Sequence, residues 1–399
     1  MDSAGKIKNG GRVKITDTDK RVVITDCDSY DELEASRAVD RLPESIGALD
    51  WVEPGMKIAV KVNFVLPKPP EKAATTHPAL VRELCRRLVA RGAQVVVGDS
   101  PGGAFSKPVL ENTYRVTGMT AVLDTGAKLN DNFTEQEVRP EGAHVLKSFY
   151  GAGFLLNADA VIDFCKLKTH ALMGYTGACK NMFGGIAGLH KSECHYRFPT
   201  HEQFASMLVD LCEYYKPRLS ICDGVVAMEG NGPSFGDPRH LGVLLASFNP
   251  HALDLAAGCI IGLDAGGVPT LKEAVSRGLC PASAAELEIT GDIDKFKVGD
   301  FKLQPLGDMR FWGIHNRFFS ELAKPFVTTR PKPDKNCVGC GKCAQVCPEK
   351  AITIVKKRPK IDRKKCISCF CCGEFCPQGA MKPYEPLLLR AMHRAEKRR

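Results

Sequence analysis

The chain is expected to fold as an α/β protein, a mainly parallel sheet with helices on both faces, followed by a smaller C-terminal α+β module. Three observations predict this. Short runs rich in Val, Ile and Leu alternate with helix-like runs over roughly the first 300 residues. Those apolar runs lack polar alternation, as strands covered on both faces should. Further on the composition changes to a basic stretch with nine cysteines between Cys337 and Cys376.

Strands are expected at Arg21–Thr25, Lys57–Val65, Gln94–Gly98, Ala160–Phe164, Leu219–Cys222 and Leu241–Ala246. A helix is expected over Pro78–Ala90, with Pro at its first position and Arg91-Gly92 behind it. A second, Glu202–Tyr215, aligns Phe204, Met207, Leu208, Leu211, Cys212 and Tyr215 on one stripe before Pro217. A third, His251–Gly262, is mostly apolar. From Arg310 to Pro333 aromatics mix with Lys324-Pro325 and Arg330-Pro331-Lys332-Pro333, a pattern of a docking segment and a stiff Pro-rich linker. The expected organisation is an α/β domain over 1–309, the linker over 310–333, the cysteine module over 334–384 and a basic tail over 385–399.

Within the module, Cys337-x2-Cys340-x2-Cys343-x3-Cys347-Pro348 recurs 29 residues later as Cys366-x2-Cys369-x2-Cys372-x3-Cys376-Pro377. This is the ligand run of a bacterial-type ferredoxin-like domain holding two [4Fe–4S] clusters. Thiolates at i, i+3 and i+6 wrap three corners of one cubane, and the cysteine before Pro crosses to the other. Cluster one is therefore assigned Cys337, Cys340, Cys343 and Cys376, and cluster two Cys366, Cys369, Cys372 and Cys347. Gly339 and Gly341 ease the first loop. Zinc is the competing occupant, and two complete runs with both prolines favour iron–sulfur. Two clusters exceed what a fold needs, which favours electron transfer over scaffolding. Cys371 is a ninth thiol, expected to pack beside the second cluster without ligating it.

The remaining nine of 18 cysteines show no CxxC spacing and are expected as small buried hydrophobes in a reducing compartment. No apolar run is long enough to span a bilayer, and Met1–Thr16 lacks the apolar core of a signal peptide, so the cytoplasm is expected. The net charge of +9 is uneven. Residues 330–399 hold 18 Lys and Arg against 6 Asp and Glu, and residues 1–329 hold 37 against 40. The basic excess offsets cluster charge and suits an acidic electron carrier. With no recognition helix, stacking platform or Arg-rich repeat, nucleic acid is excluded.

Several strands are expected to run into polar loops that converge at the carboxyl edge of the sheet. Gln94–Gly98 leads to Asp99-Ser100-Pro101-Gly102-Gly103, and Ala160–Phe164 to Lys166-Leu167-Lys168-Thr169-His170. Leu219–Cys222 leads to Asp223-Gly224, and Lys57–Val65 itself carries Lys61 and Asn63. The longest polar segment, Thr176–Arg197, is expected as a Gly-rich loop. There Asn181, Gly184 and Gly185 would bring backbone close to a ligand, and Lys180, His190 and Arg197 would bring charge and protons. No phosphate-loop motif occurs, and Gly184-Gly185-x-x-Gly188 follows no clear strand.

The strings Lys166-Leu167-Lys168-Thr169-His170, Lys180-Asn181-x-Phe183-Gly184, Gly98-Asp99-Ser100-Pro101-Gly102-Gly103 and Met228-Glu229-Gly230-Asn231-Gly232-Pro233 together resemble one family. It is the group of prokaryotic iron–sulfur-centre proteins catalogued as domain of unknown function 362, matched from about Lys57 to Gly278. The resemblance implies a shared polar pocket beside a redox module. A more distant fold-level likeness is to the N-terminal domain of lactate racemase.

The expected function is an oxygen-sensitive iron–sulfur oxidoreductase of anaerobic metabolism. A ferredoxin- or flavodoxin-like donor would supply electrons through the two clusters to a small anionic substrate or bound cofactor. Lys166, Lys168, Lys180 and Arg197 would bind the anion, His170 or His190 would donate the proton, and Asp99 or Asp223 would position the donor. The alternatives are a non-enzymatic electron-transfer subunit and a non-redox lyase or isomerase with structural clusters.

Overall fold

The computed structural model describes residues 18–304, 306 and 330–384. The N-terminus through residue 17, the docking segment from 310 to 329 and the basic tail lie outside the described residues. The described residues form two compact units, one of 18–188 and 205–304, the other of 189–204, 306 and 330–384.

In chain order residues 18–304 carry β1 (Arg21–Asp26), α1 (Glu32–Ile46), β2 (Lys57–Lys61), α2 (Pro78–Ala90), β3 (Gln94–Gly98), α3 (Lys107–Thr117), β4 (Lys128–Leu129), β5 (Glu135–Val138), β6 (Phe149–Ala152) and α4 (Gly153–Leu156). They continue through β7 (Ala160–His170), β8 (Gly174–Thr176), α5 (Ala178–Asn181), α6 (His190–Arg197), α7 (His201–Tyr215), β9 (Leu219–Glu229), β10 (Asp237–Ser247), α8 (Pro250–Ile260), α9 (Pro269–Ser276) and β11 (Glu288–Thr290). Nine strands form one sheet in the order β11-β1-β10-β9-β7-β2-β3-β4, with β8 hairpinned onto β7. The run from β9 to β4 is parallel, as is β11 with β1, whereas β10 is antiparallel to both its neighbours. The sheet is thus mainly parallel.

All six expected strands are present, with two kinds of boundary shift. β2 ends at Lys61, short of Val65, while β7 and β9 run well past Phe164 and Cys222. Charged residues mark those ends in the sequence, yet Lys166 stands in register with Asp223 and the two neutralise each other inside the sheet. Lys166–His170 and Asp223-Gly224, expected as loops, are therefore strand. Thr176–Arg197 is likewise ordered, into α5, a 3-10 turn over Met182–Gly185 and α6.

Alternation of side chains along the strands covers both faces of the sheet. Val22, Ile24, Cys222, Val243 and Leu245 pack with α8 and α9. Thr25 faces the other way and accepts a bond from Arg41 of α1 at 3.3 Å. α2 starts where the sequence places it, because Pro78 suits the first position and the His77 ring accepts from the Ala79 N–H at 3.3 Å.

The second unit holds β12 (Arg330–Pro333), α10 (Lys342–Gln345), β13 (Ile352–Val355), β14 (Arg358–Ile361), α11 (Cys371–Glu374) and β15 (Met381–Tyr384). Arg330–Pro333, expected as linker, pairs antiparallel with β15. A two-stranded sheet is all edge, where proline is tolerated. The 29-residue repeat is visible in the backbone. Gly339, Gly341 and Lys350 have φ of 70°, 77° and 48°, and their counterparts Ser368, Phe370 and Gly379 have 56°, 57° and 56°. The small core joins Ile352, Met381 and Ile361 to Cys343, Cys347, Cys372 and Cys376.

Candidate functional site

The carboxyl ends of β2, β3 and β7 gather a buried polar cluster, at the edge where open α/β sheets place ligands. Lys61, the last residue of β2, is in register with Gly98 and Asp163. Its ammonium donates to Asn181 Oδ1 at 2.7 Å and to the Val62 carbonyl at 2.9 Å, and lies 3.0 Å from Asp99 Oδ1. Asp99 Oδ2 accepts from the Phe64 N–H at 2.8 Å. Asn181 Oδ1 also accepts from Asn63 Nδ2 at 2.8 Å, while Asn181 Nδ2 donates to Asp163 Oδ1 at 2.6 Å. Asn63 Oδ1 accepts from Lys168 Nζ at 2.7 Å, and Lys168 also donates to the Ala74 carbonyl at 2.6 Å. Asn63, the most exposed of these six side-chain groups, is 7% exposed.

The charges in this cluster do not balance evenly. Lys61 has Asp99 as counter-ion. Lys168 has no carboxylate partner among the described residues, only an amide and a carbonyl. Burial, reinforced by the charges of Lys180, Lys166 and Lys61, holds the Lys168 ammonium well below lysine's usual range. Burial also pushes the Asp163 carboxyl well above the usual carboxylate range, against the pull of Lys61 and Asn181. Asp163 Oδ2 is buried with no hydrogen-bond partner.

A second cluster lies between β7 and β9. Lys166 Nζ donates to Asp223 Oδ2 at 2.7 Å and to the Tyr30 hydroxyl at 2.8 Å. Tyr30 donates to Asp223 Oδ1 at 2.8 Å, and the His77 N–H donates to Asp223 Oδ2 at 3.0 Å. The Tyr30 and His77 rings stack with centroids 3.5 Å apart. Burial drives the His77 imidazole down to about 4, outweighing Asp223, so it is neutral near pH 7.

The structure thus brings Asp99, Lys168 and Asn181 together with Lys61, Asn63 and Asp163, and joins Lys166 to Asp223. Asp163 was missed because a carboxyl inside an apolar run reads as strand. His170 closes the β7–β8 turn, its Nδ1 accepting from the Leu172 and Met173 N–H groups at 3.1 and 3.3 Å. Lys180 lies over the Phe183 ring. His190 and Arg197 stand on α6, which groups with the other unit. Gly184 and Gly185 serve close packing. A Cβ on Gly184 would fall 2.0 Å from Asp99 Oδ1, and one on Gly185 would fall 2.3 Å from the Tyr215 ring.

In the second unit the cysteines ring two cavities. One is lined by Cys337, Cys340, Cys343 and Cys376, the other by Cys347, Cys366, Cys369, Cys371 and Cys372. Apart from Cys371 these are the crossed ligand sets, and four thiols around one hollow are the donors a [4Fe–4S] group takes. The Ala351 and Ala380 N–H groups donate to Cys347 and Cys376 Sγ at 3.3 and 3.2 Å, at equivalent places in the repeat. Such bonds stabilise thiolate. Cys371 is buried and hydrogen-bonds Cys369, which holds that thiol below its usual range.

Residues 58–258 match the family described as Domain of unknown function (DUF362), and residues 336–380 match the 4Fe-4S dicluster domain. The thylakoid-associated protein sll1697 of Synechocystis is 31% identical over 278 residues, covering 67% of this chain and 82% of that protein. Among solved structures, the lactate racemase apoprotein from Thermoanaerobacterium thermosaccharolyticum aligns at 13% identity with a TM-score of 0.35, covering 58% of each chain. A Thermotoga maritima protein aligns at 14% identity and a TM-score of 0.34, covering 55% of this chain and 56% of that one. Among the described residues no helix is long and apolar enough to cross a membrane.

Proposed function

Since this chain belongs to the family of domain of unknown function 362 and carries a 4Fe-4S dicluster module, we propose that it is a cytoplasmic iron–sulfur oxidoreductase that reduces a small anion bound at Lys168. Two [4Fe–4S] clusters, held by the crossed cysteine sets, would supply one-electron transfer from a ferredoxin- or flavodoxin-like donor.

The observation that carries the reading is Lys168, a fully buried lysine with neutral acceptors and no counter-ion among the described residues. An arriving carboxylate or phosphate supplies the missing negative charge, and Lys168 takes up a proton as it binds. Lys61 and Lys166 are already neutralised by Asp99 and Asp223, so they shape the chamber and leave the anion to Lys168. Burial disfavours the charged form of Asp163, which limits negative charge beside Lys168. The segment between β2 and α2 covers Lys168 through Ala74, and Val65 and Ala73 within it have φ of 27° and 50°. Such non-glycine strain is found where a loop must move or clamp, and displacement of this segment admits the substrate.

The test is mass spectrometry of small molecules retained by anaerobically purified protein. The wild type is expected to carry an anion that Lys168→Met loses while keeping its iron. Equal retention by both proteins would remove Lys168 from the site. The closed chamber also suits a reading as an electron-transfer subunit, which a stably co-purifying partner with no retained ligand would favour.

A further inference from the structure

Two of the scattered cysteines meet outside the lysine cluster. Cys179 comes from α5, Cys212 and Glu213 from α7, and His251 from the first turn of α8. The local sequence sets each of them. The buried stripe of α7 ends with Leu211, Cys212 and Tyr215, which turns Cys212 inward and leaves Glu213 at the edge of the stripe. Asn249 caps α8, its Oδ1 accepting from the His251 N–H at 2.9 Å, which fixes the histidine at the helix start. Asp254, one turn along α8, binds the Ala178 and Cys179 N–H groups at 2.6 and 3.0 Å and ties α5 to α8.

A sulfur of Cys212, a carboxylate oxygen of Glu213 and a ring nitrogen of His251 lie within 4.8 Å of one another. Cys179, also buried, is a neighbour of both Cys212 and His251. The two thiols and the imidazole are buried, whereas the Glu213 side chain is 31% exposed and leaves a route from solvent. His251 Nε2 lies 3.0 Å from Glu213 Oε1. Its Nδ1 is buried with no hydrogen-bond partner. A carboxylate on one imidazole nitrogen directs the lone pair of the other toward a ligand, the arrangement metal-bound histidines use.

From this geometry we propose a zinc site in the α/β unit, with Cys179, Cys212 and His251 as protein ligands and Glu213 orienting the imidazole. Two thiolates and one imidazole suit a borderline-soft ion and match the three-ligand sets of zinc centres, with the fourth position open to water or the Glu213 carboxylate. A hard cation such as magnesium or calcium would find only one oxygen donor here. The site does not depend on the function of Lys168, and either assignment can fail alone.

The experiment is metal analysis and zinc K-edge absorption on the full-length protein, purified anaerobically with its iron complement and washed with chelator. Expected is about one zinc per chain, with two sulfur neighbours at about 2.3 Å and nitrogen or oxygen neighbours at about 2.0 Å. Zinc misplaced into the ferredoxin-like module would show sulfur neighbours alone and would overturn the proposal. So would zinc below about a tenth of stoichiometric, or a Cys179–Cys212 disulfide found by mass mapping. Cys212→Ser is expected to lose the zinc without loss of iron. Glu213→Gln, a milder change for folding, is expected to weaken zinc retention by about 10- to 100-fold. Unchanged retention in Glu213→Gln would overturn its orienting role.

Discussion

The two units solve the burial of reactive groups in opposite ways. In the α/β unit the lysines and carboxyls stand on strands of a nine-stranded sheet and meet partners from the protein itself. The buried polar cluster is assembled by the sheet register. In the ferredoxin-like module the reactive groups are much of the core, since Cys343, Cys347, Cys372 and Cys376 pack directly against Ile352 and Met381. Eight of the described backbone positions there sit in the left-handed region, five of them without glycine. Chemistry placed on rigid strands can wait for its ligand, whereas chemistry that doubles as core needs its ligand in order to fold.

Removing iron probes that difference most strongly. Chelation under oxidising conditions is expected to abolish amide protection over residues 330–384, by about a hundredfold or more, and to leave the strands of the α/β unit protected. Hydrogen exchange read by mass spectrometry checks it, and equal loss in both units would erase the contrast.

The lysines divide the α/β unit internally. Lys166→Met strands the buried Asp223 carboxylate and is expected to cost about 3–5 kcal/mol in denaturant unfolding. Lys168→Met strands no counter-ion and removes an amine that burial disfavours in its charged form. It should cost under about 1.5 kcal/mol, and an equal cost for both would mean Lys168 has an ionic partner after all.

His77 gives a pH-dependent version. Its folded value, about 4, lies below the ordinary 6.5, so the stabilisation is present above pH 6.5 and fades as pH falls toward 4. Between pH 7 and 5 the start of α2 is expected to lose about 2 kcal/mol of local stability, read from exchange rates corrected for intrinsic pH dependence. His77→Asn keeps a capping acceptor without the titration and should flatten that slope.

The smallest effect concerns the module's backbone. Lys350 holds a left-handed conformation where its repeat partner Gly379 has glycine. Lys350→Gly is expected to stabilise the holo module by up to about 1 kcal/mol, seen as slower iron release in denaturant.

How far the sequence reached follows the same division. The grouping of the cysteines around two cavities was legible, because ligand spacing is local and the repeat relates the two runs. The six strands and the start of α2 were legible from apolar runs and from Pro78. The continuation of β7 through Lys166 and Lys168 was hidden, because charges end a strand unless a neighbour such as Asp223 cancels them, and that neighbour is 57 residues away in the chain. Lys61 and Asn63 were visible as polar residues near a strand end. Their bonds to Asn181 span 120 and 118 residues and leave no local trace. α1 went unseen because its stripe is sparse and Pro43 interrupts it.

The most direct test of an electron-carrying module is EPR of the dithionite-reduced, anaerobically reconstituted protein together with its iron content. The expected result is about eight irons per chain and a reducible signal from two interacting [4Fe–4S] clusters. Clearly fewer irons, or a full complement that gives no reducible signal, would contradict it.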